Sequence, residues 1–341
     1  MLAAIGAANI EELFEAVPES QRFPKLDLPD PMGELEVTAE MTALSEANEH
    51  AGDFALFRGA GAYHHFVPSV VNHVILRGEF LTAYTPYQPE VSQGTLQAVY
   101  EYQSMMCALT GMDAANASHY DGATSLAEAV TMSLQVARKR NKIILSQGIS
   151  PQYRRVVRTY HQGRDVELVG DDTAHTLDDL AALLDDNTAM LAVQYPNFFG
   201  QIENLQALAD KVHEAGALLC VVANPLALGM LQSPGAMGAD IVVGEAQPLG
   251  VPLSFGGPYV GYFATRQKYV RKIAGRIIGE TQDSEGKRAY VMTLRPREQD
   301  IKREKASSNI CTNQGLMATA ASVYLSLMGK QGMRKVALLN Y

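Results

Sequence analysis

The sequence predicts an α/β protein: a mostly parallel sheet flanked by helices, preceded by an N-terminal arm. Three observations carry this expectation. Short apolar runs recur at residues 143–145, 166–169, 190–194, 217–223 and 241–243. Helical segments at 152–162, 177–185 and 205–215 separate them. The 341 residues suffice for one large α/β domain with a sizeable core and a smaller appendage. Apolar runs that barely alternate with polar residues suit strands buried on both faces, as parallel sheets are.

Taken in order, residues 1–60 read as an arm. An acidic amphipathic start is followed by Pro18, Pro24, Pro29 and Pro31, which favour extended chain. A helix is signalled from Ser92, a capping residue, to Gly111, a terminator, with Leu96, Val99, Tyr100 and Met106 on one face. A second helix follows, in which Leu126, Ala129, Val130, Ser133, Leu134 and Ala137 form a stripe of small residues suited to close packing on a sheet. After the alternating strands and helices, a glycine-rich loop leads to a strand at 259–264. From about Val270 the chain reads as helical toward Asn313, where a final apolar helix begins. No internal repeat or low-complexity segment is evident.

Composition narrows the function classes. Against 28 Lys plus Arg stand 37 Asp plus Glu, a formal charge of −9 that disfavours binding to nucleic acid through its phosphates. No run approaches the roughly 20 apolar residues a membrane span needs. Cys107, Cys220 and Cys311 lie far apart, with neither a disulfide framework nor metal-ligand spacing, and no export or organelle signal is recognisable. A cytoplasmic protein with small-molecule and protein partners is expected.

Open α/β sheets bind ligands beyond the carboxyl ends of their strands, which directs the search to the turns there. Asp121-Gly-Ala-Thr-Ser-Leu opens the small-residue helix; it reads either as an ordinary cap or as a cradle for a phosphate. The loop from Gly244 to Pro258 is too long and glycine-rich for a simple connection. The charged stretch from Arg295 gives way to Ser307-Ser-Asn and a new helix, a cap or a binding turn. Tyr84-Thr-Pro-Tyr-Gln-Pro-Glu90 packs two prolines and two tyrosines into a rigid segment that can present polar tips or merely cover the core. His64-His65 has no carboxylate or thiol at ligand spacing, so no metal is expected. Lys268, Arg271, Lys272 and Arg276 read as a solvated basic helix face or a docking face for an acidic partner.

Several of these stretches occur together in a known family. Residues 84–94, Asn116-Ala-Ser, Gly238-Ala-Asp-Ile-Val-Val-Gly, Gly275-Arg-Ile-Ile-Gly and Ser308-Asn-Ile-Cys-Thr resemble motifs of glycine decarboxylase, the P-protein of the glycine cleavage system. The resemblance is to its first, or α, subunit in the two-subunit bacterial form, and it extends over nearly the whole chain. It implies the fold-type-I pyridoxal-phosphate architecture, which agrees with the alternation of strands and helices.

The resemblance also implies departures from a complete enzyme. Pyridoxal chemistry requires a lysine for the internal Schiff base, and the corresponding position, eleven residues before Pro258, is Gln247. The carboxylate that would pair with the pyridinium nitrogen is replaced within Val221-Val222, and the phosphate-loop Gly-Glu by Ser125-Leu126. The chain is therefore expected to hold no covalent cofactor and to have no catalytic residue of its own. It is expected to work with a lysine-bearing second subunit that carries pyridoxal 5'-phosphate, in an α2β2 heterotetramer, and with the lipoylated H-protein. Ser307, Ser308, Asn309 and Thr312 are implied to reach the partner's cofactor phosphate. Tyr84, Tyr87, Gln88 and Glu90 are candidates for the entrance used by glycine or the lipoyl arm. By the same resemblance, residues 61–320 form the large domain and 321–341 begin a truncated C-terminal small domain. Two other readings stay open: a noncatalytic stabilising or regulatory subunit, and a divergent self-sufficient pyridoxal enzyme.

Overall fold

The computed structural model describes residues 1–57, 59–172, 176–306 and 308–341. It divides into two compact units, Met1–Ala55 and Leu56–Tyr341. In the first, a helix α1 (Glu34–Glu46) follows a mostly extended, proline-punctuated stretch, and no residue is buried. Its start is fixed by the Glu36 carboxylate, which accepts the Gly33 N–H at 2.8 Å.

The second unit holds a seven-stranded sheet in the order β1-β7-β6-β5-β4-β2-β3. Its strands are β1 (Ala114–Ala115), β2 (Lys142–Leu145), β3 (Glu167–Val169), β4 (Thr188–Tyr195), β5 (Leu218–Ala223), β6 (Ile241–Glu245) and β7 (Gly261–Thr265). Strands β2 to β6 run parallel; β7 pairs antiparallel with both β6 and β1. The apolar runs are explained by the two cores. Leu219 and Val221 of β5 face one hydrophobic cluster, Leu218, Cys220 and Val222 the other, and β4 and β6 divide in the same way. With water excluded from both faces, each large side chain contributes about 1.5–3 kcal/mol.

The helix expected from Ser92 is α2 (Gln93–Thr110), ended by Gly111 in a left-handed conformation. Ser92 stands at its N-cap, but its hydroxyl makes no cap bond. The small-residue helix is α3 (Gly122–Val136), whose first twelve residues are all buried. Here the cap is real: the Thr124 N–H donates to Asp121 Oδ1 at 2.7 Å, and the Asp121 N–H donates to Thr124 Oγ1 at 3.1 Å.

The helical reading from Val270 toward Asn313 is overturned. After a short 3-10 turn at Gln267–Lys272, the chain forms an antiparallel hairpin of β8 (Ile277–Gln282) and β9 (Arg288–Thr293). Its turn is built by Asp283, whose Oδ1 accepts the N–H groups of Glu285 and Lys287 at 2.9 Å, and by Gly286 at φ 78°. Two glutamines of α2 then act as strand mimics. The Gln103 amide exchanges two 2.9 Å hydrogen bonds with the main chain of Ile278, and Gln93 does the same with Tyr290. Of the four basic residues, Arg276 enters the hairpin and is 2% exposed, whereas Lys268 and Arg271 stay exposed on the 3-10 turn, Lys268 3.7 Å from Asp240. The final helix α4 (Gly315–Leu339) is interrupted at Gly329, and its first half is buried against the core. No helix among the described residues is long and apolar enough to cross a membrane.

Candidate active-site cleft and rim

A cavity of about 420 Å³ opens at the carboxyl ends of β4, β5 and β6, where the topology predicts a ligand. Tyr63, Ser150, Tyr153, Gln194, Val222 and Glu245 are among the residues lining it. Gln247 stands beside it, 0% exposed, with its amide fully engaged. Its Oε1 accepts the Tyr63 N–H at 2.9 Å; its Nε2 donates to the carbonyls of Tyr63 at 3.0 Å and Val251 at 2.7 Å. The amide thus ties the chain entering the cleft to the loop that follows β6. His65 adds to the seam by accepting the Gly250 N–H at 3.1 Å through Nε2.

Glu245, the last residue of β6, is 5% exposed. Its Oε2 accepts the Gly122 N–H at 2.9 Å, and its Oε1 accepts the N–H groups of Gln247 at 2.9 Å and Val260 at 3.0 Å. Burial, with a smaller push from Asp121, outweighs the three N–H donors and raises its carboxyl to about 7. Sequence reasoning did not single out this residue. The available signal was a carboxylate ending a strand otherwise buried on both faces, where an acidic residue needs dedicated partners.

The other departures lie in the same layer. Val221 and Val222 are buried and offer no carboxylate, Leu126 is buried, and the Ser125 hydroxyl donates to its own helix at Asp121 O, 2.7 Å away. A lysine-tethered pyridoxal phosphate does not fit this cleft. Gln247, the position that the resemblance assigns to the tethering lysine, is a locked amide, and the Gly122 and Thr124 N–H groups at the head of α3 are taken by Glu245 and Asp121.

The remaining sequence candidates lie on an outer rim. Tyr84 is 77% exposed, and Tyr87, Gln88 and Glu90 are exposed with it. The segment is held from below by Arg276, which donates to Thr85 Oγ1 and to the Tyr87 hydroxyl, both at 3.0 Å. The guanidinium groups of Arg276 and Arg295 approach the Tyr87 ring at 5.4 Å and 5.0 Å. Arg276 also faces Glu298 at 3.7 Å and reaches Cys311 Sγ at 4.0 Å, so one buried side chain meets the Tyr84–Glu90 segment and the turn before α4. Its role was missed because its charge suggested solvent. In that turn Ser308 is half-buried and its hydroxyl accepts the Ile310 N–H at 3.0 Å, whereas Asn309 and Thr312 are exposed. Ser307 lies outside the described residues. Asn313 Nδ2 and the Gln314 N–H both donate to Ser118 Oγ, fixing the start of α4.

The sequence model of the family described as "Glycine cleavage system P-protein" matches residues 1–341. The chain belongs to this P-protein family. Among its curated relatives, a protein of Thermomicrobium roseum named "Probable glycine dehydrogenase (decarboxylating) subunit 1" is 56% identical over 345 residues, covering all of this chain and 77% of the relative. A protein of the same name from Geobacillus thermodenitrificans is 52% identical, again over all of this chain and 77% of the relative. Among solved structures, a P-protein described as glycine decarboxylase of the glycine cleavage system, in inhibitor-bound form, superposes with a TM-score of 0.91 at 45% identity. That match covers 98% of this chain and 76% of that one. A sphingosine-1-phosphate lyase of Burkholderia pseudomallei, at 15% identity and a TM-score of 0.62, covers 94% of this chain and 75% of that one and shares the fold alone. The fold expected from the sequence, fold-type-I with a mostly parallel sheet, is the fold of this P-protein chain.

Proposed function

We propose that this chain is the lysine-lacking subunit of a two-subunit, pyridoxal-phosphate-dependent glycine decarboxylase, and that it acts by completing a site on a lysine-bearing second subunit. The observation that carries this reading is Gln247. In a chain of the P-protein family, the Schiff-base position is a buried amide spent entirely on three internal hydrogen bonds. Relatives named "subunit 1" support a heteromer, here an α2β2 assembly in the cytoplasm. The isolated chain is then inactive.

Bound covalently by the partner, pyridoxal phosphate supplies the electron sink for loss of carbon dioxide from glycine. The residues of this chain position and enclose. Ser307, Ser308, Asn309 and Thr312 reach the cofactor phosphate as hydrogen-bond donors. Tyr84, Tyr87, Gln88 and Glu90 line the entrance used by glycine and by the lipoyl arm of the H-protein, which accepts the aminomethyl group. Residues 61–320 form the domain that carries this rim, with 1–60 as an arm and 321–341 leading into a small domain.

Exchange of labelled bicarbonate into glycine tests the proposal, with this chain titrated into the lysine-bearing subunit together with cofactor and lipoyl carrier. Exchange absent from either protein alone and present on mixing is the expected result. A partner fully active by itself favours the noncatalytic stabilising subunit instead.

A further inference from the structure

The head of α3 is built as an anion site, and the chain fills it itself. The 15-residue helix points its N-terminus at the strand ends, where free N–H groups and the helix dipole favour negative charge. The N–H groups of Gly122 and Thr124 are taken by carboxylates, Glu245 Oε2 at 2.9 Å and Asp121 Oδ1 at 2.7 Å. Asp121 is a local cap. Glu245 comes from the end of another strand, is 5% exposed, and collects two further main-chain N–H groups, from Gln247 and Val260. It therefore has the donor set of a bound oxyanion. The space is closed as well: a Cβ on Gly122 would collide with the Tyr153 hydroxyl and the Glu245 nitrogen. No described residue lining the cavity carries a cationic side chain to offset the two carboxylates.

We propose that Glu245 is a resident occupant: its carboxyl group fills the place at the head of α3 that a ligand's phosphate would need, so the cleft rejects phosphorylated ligands independently of the missing lysine. The loss of cofactor is thus built twice, once in the covalent anchor at Gln247 and once in the phosphate seat. Replacing Gln247 by lysine alone restores only the first. The inference concerns this chain by itself and stands or falls separately from its action on a partner.

The test uses the full chain without partner and compares pyridoxamine 5'-phosphate, which has no aldehyde to react with surface lysines, with pyridoxamine by equilibrium dialysis. The wild-type chain is expected to show no saturable binding of the phosphorylated compound at millimolar concentration. Glu245→Ser vacates the seat and should gain at least tenfold in affinity for pyridoxamine phosphate with no gain for pyridoxamine. Glu245→Gln still fills the seat with an accepting oxygen and should gain nothing. Should Glu245→Ser fold only when inorganic phosphate is supplied, phosphate has taken the vacated place, as proposed. Should it not fold at all, Glu245→Ala, which likewise leaves no carboxyl group at the seat, serves in its place and should show the same phosphate-dependent gain. Saturable wild-type binding of pyridoxamine phosphate overturns the proposal, as does a folded Glu245→Ser or Glu245→Ala protein with no gain.

Discussion

The cleft at the strand ends and the rim formed by residues 84–90 and 308–312 treat their polar groups in opposite ways. In the cleft, Glu245 and Gln247 are buried and each makes three hydrogen bonds to main-chain groups of this chain. On the rim, Tyr84, Gln88, Glu90, Asn309 and Thr312 are exposed, while the buried Arg276 beneath holds the first segment in place. Buried polar groups are satisfied because leaving them unpaired costs on the order of 1–3 kcal/mol each. A site whose groups satisfy one another has none to offer a substrate. A supported, rigid surface with free polar tips has many.

Substitutions should therefore separate the two regions. The largest effect is expected from Gln247→Met, which keeps the volume but leaves the Tyr63 N–H and the Val251 C=O unpartnered and the Tyr63 C=O with His65 Nδ1 alone; urea denaturation should show a loss of about 4 kcal/mol. A near-neutral result would break the contrast, because Gln247 would then be no strut. Next is Arg276→Met, which strands Glu298 and releases Thr85 and Tyr87, at about 3 kcal/mol. Amide exchange should accelerate at 84–90 well before it does in β5 or β6. Arg276→Lys should restore stability only in part, since an ammonium cannot replace the two guanidinium arms.

Glu128 sharpens the comparison through pH. It is buried on α3, its Oε2 has no hydrogen-bond partner among the described residues, and burial outweighs the Ser308 hydroxyl and then Arg164 to raise its carboxyl to about 7. The folded state holds this proton more tightly than the unfolded chain, so stability is full below the ordinary value of 4.5 and falls as pH rises toward about 7. Glu128→Gln should thus be more stable than wild type by about 2 kcal/mol at pH 8, with the difference vanishing near pH 4. Equal stability at both pH values would contradict the assignment. The smallest stability effect belongs to the rim. Asn309→Ala should change unfolding free energy by less than about 0.5 kcal/mol while weakening cofactor retention in the assembled complex, and unchanged retention would remove Asn309 from the phosphate contacts.

The sheet was legible because strands such as 190–194 and 217–223 are covered on both faces and so read as unbroken apolar runs. The hairpin at 277–293 was not. Its β8 carries Glu280, Thr281 and Gln282 on an exposed half, and its edges are satisfied by Gln93 and Gln103, far away in sequence. The Asp283 to Gly286 turn was the available local signal. Gln247 was legible as a departure from a motif, but its work as a strut was not, since its partners lie at 63 and 251. Glu245 was hidden for a related reason: the groups it binds come from residues 122, 247 and 260, which only the folded chain brings together.

Counting pyridoxal phosphate in the purified, exchange-active complex of this chain with its lysine-bearing partner tests the central claim most directly. One cofactor per pair of chains, reduced by borohydride onto the partner alone, is the predicted result. Two per pair, with one released from this chain after the partner's has been fixed, would contradict it.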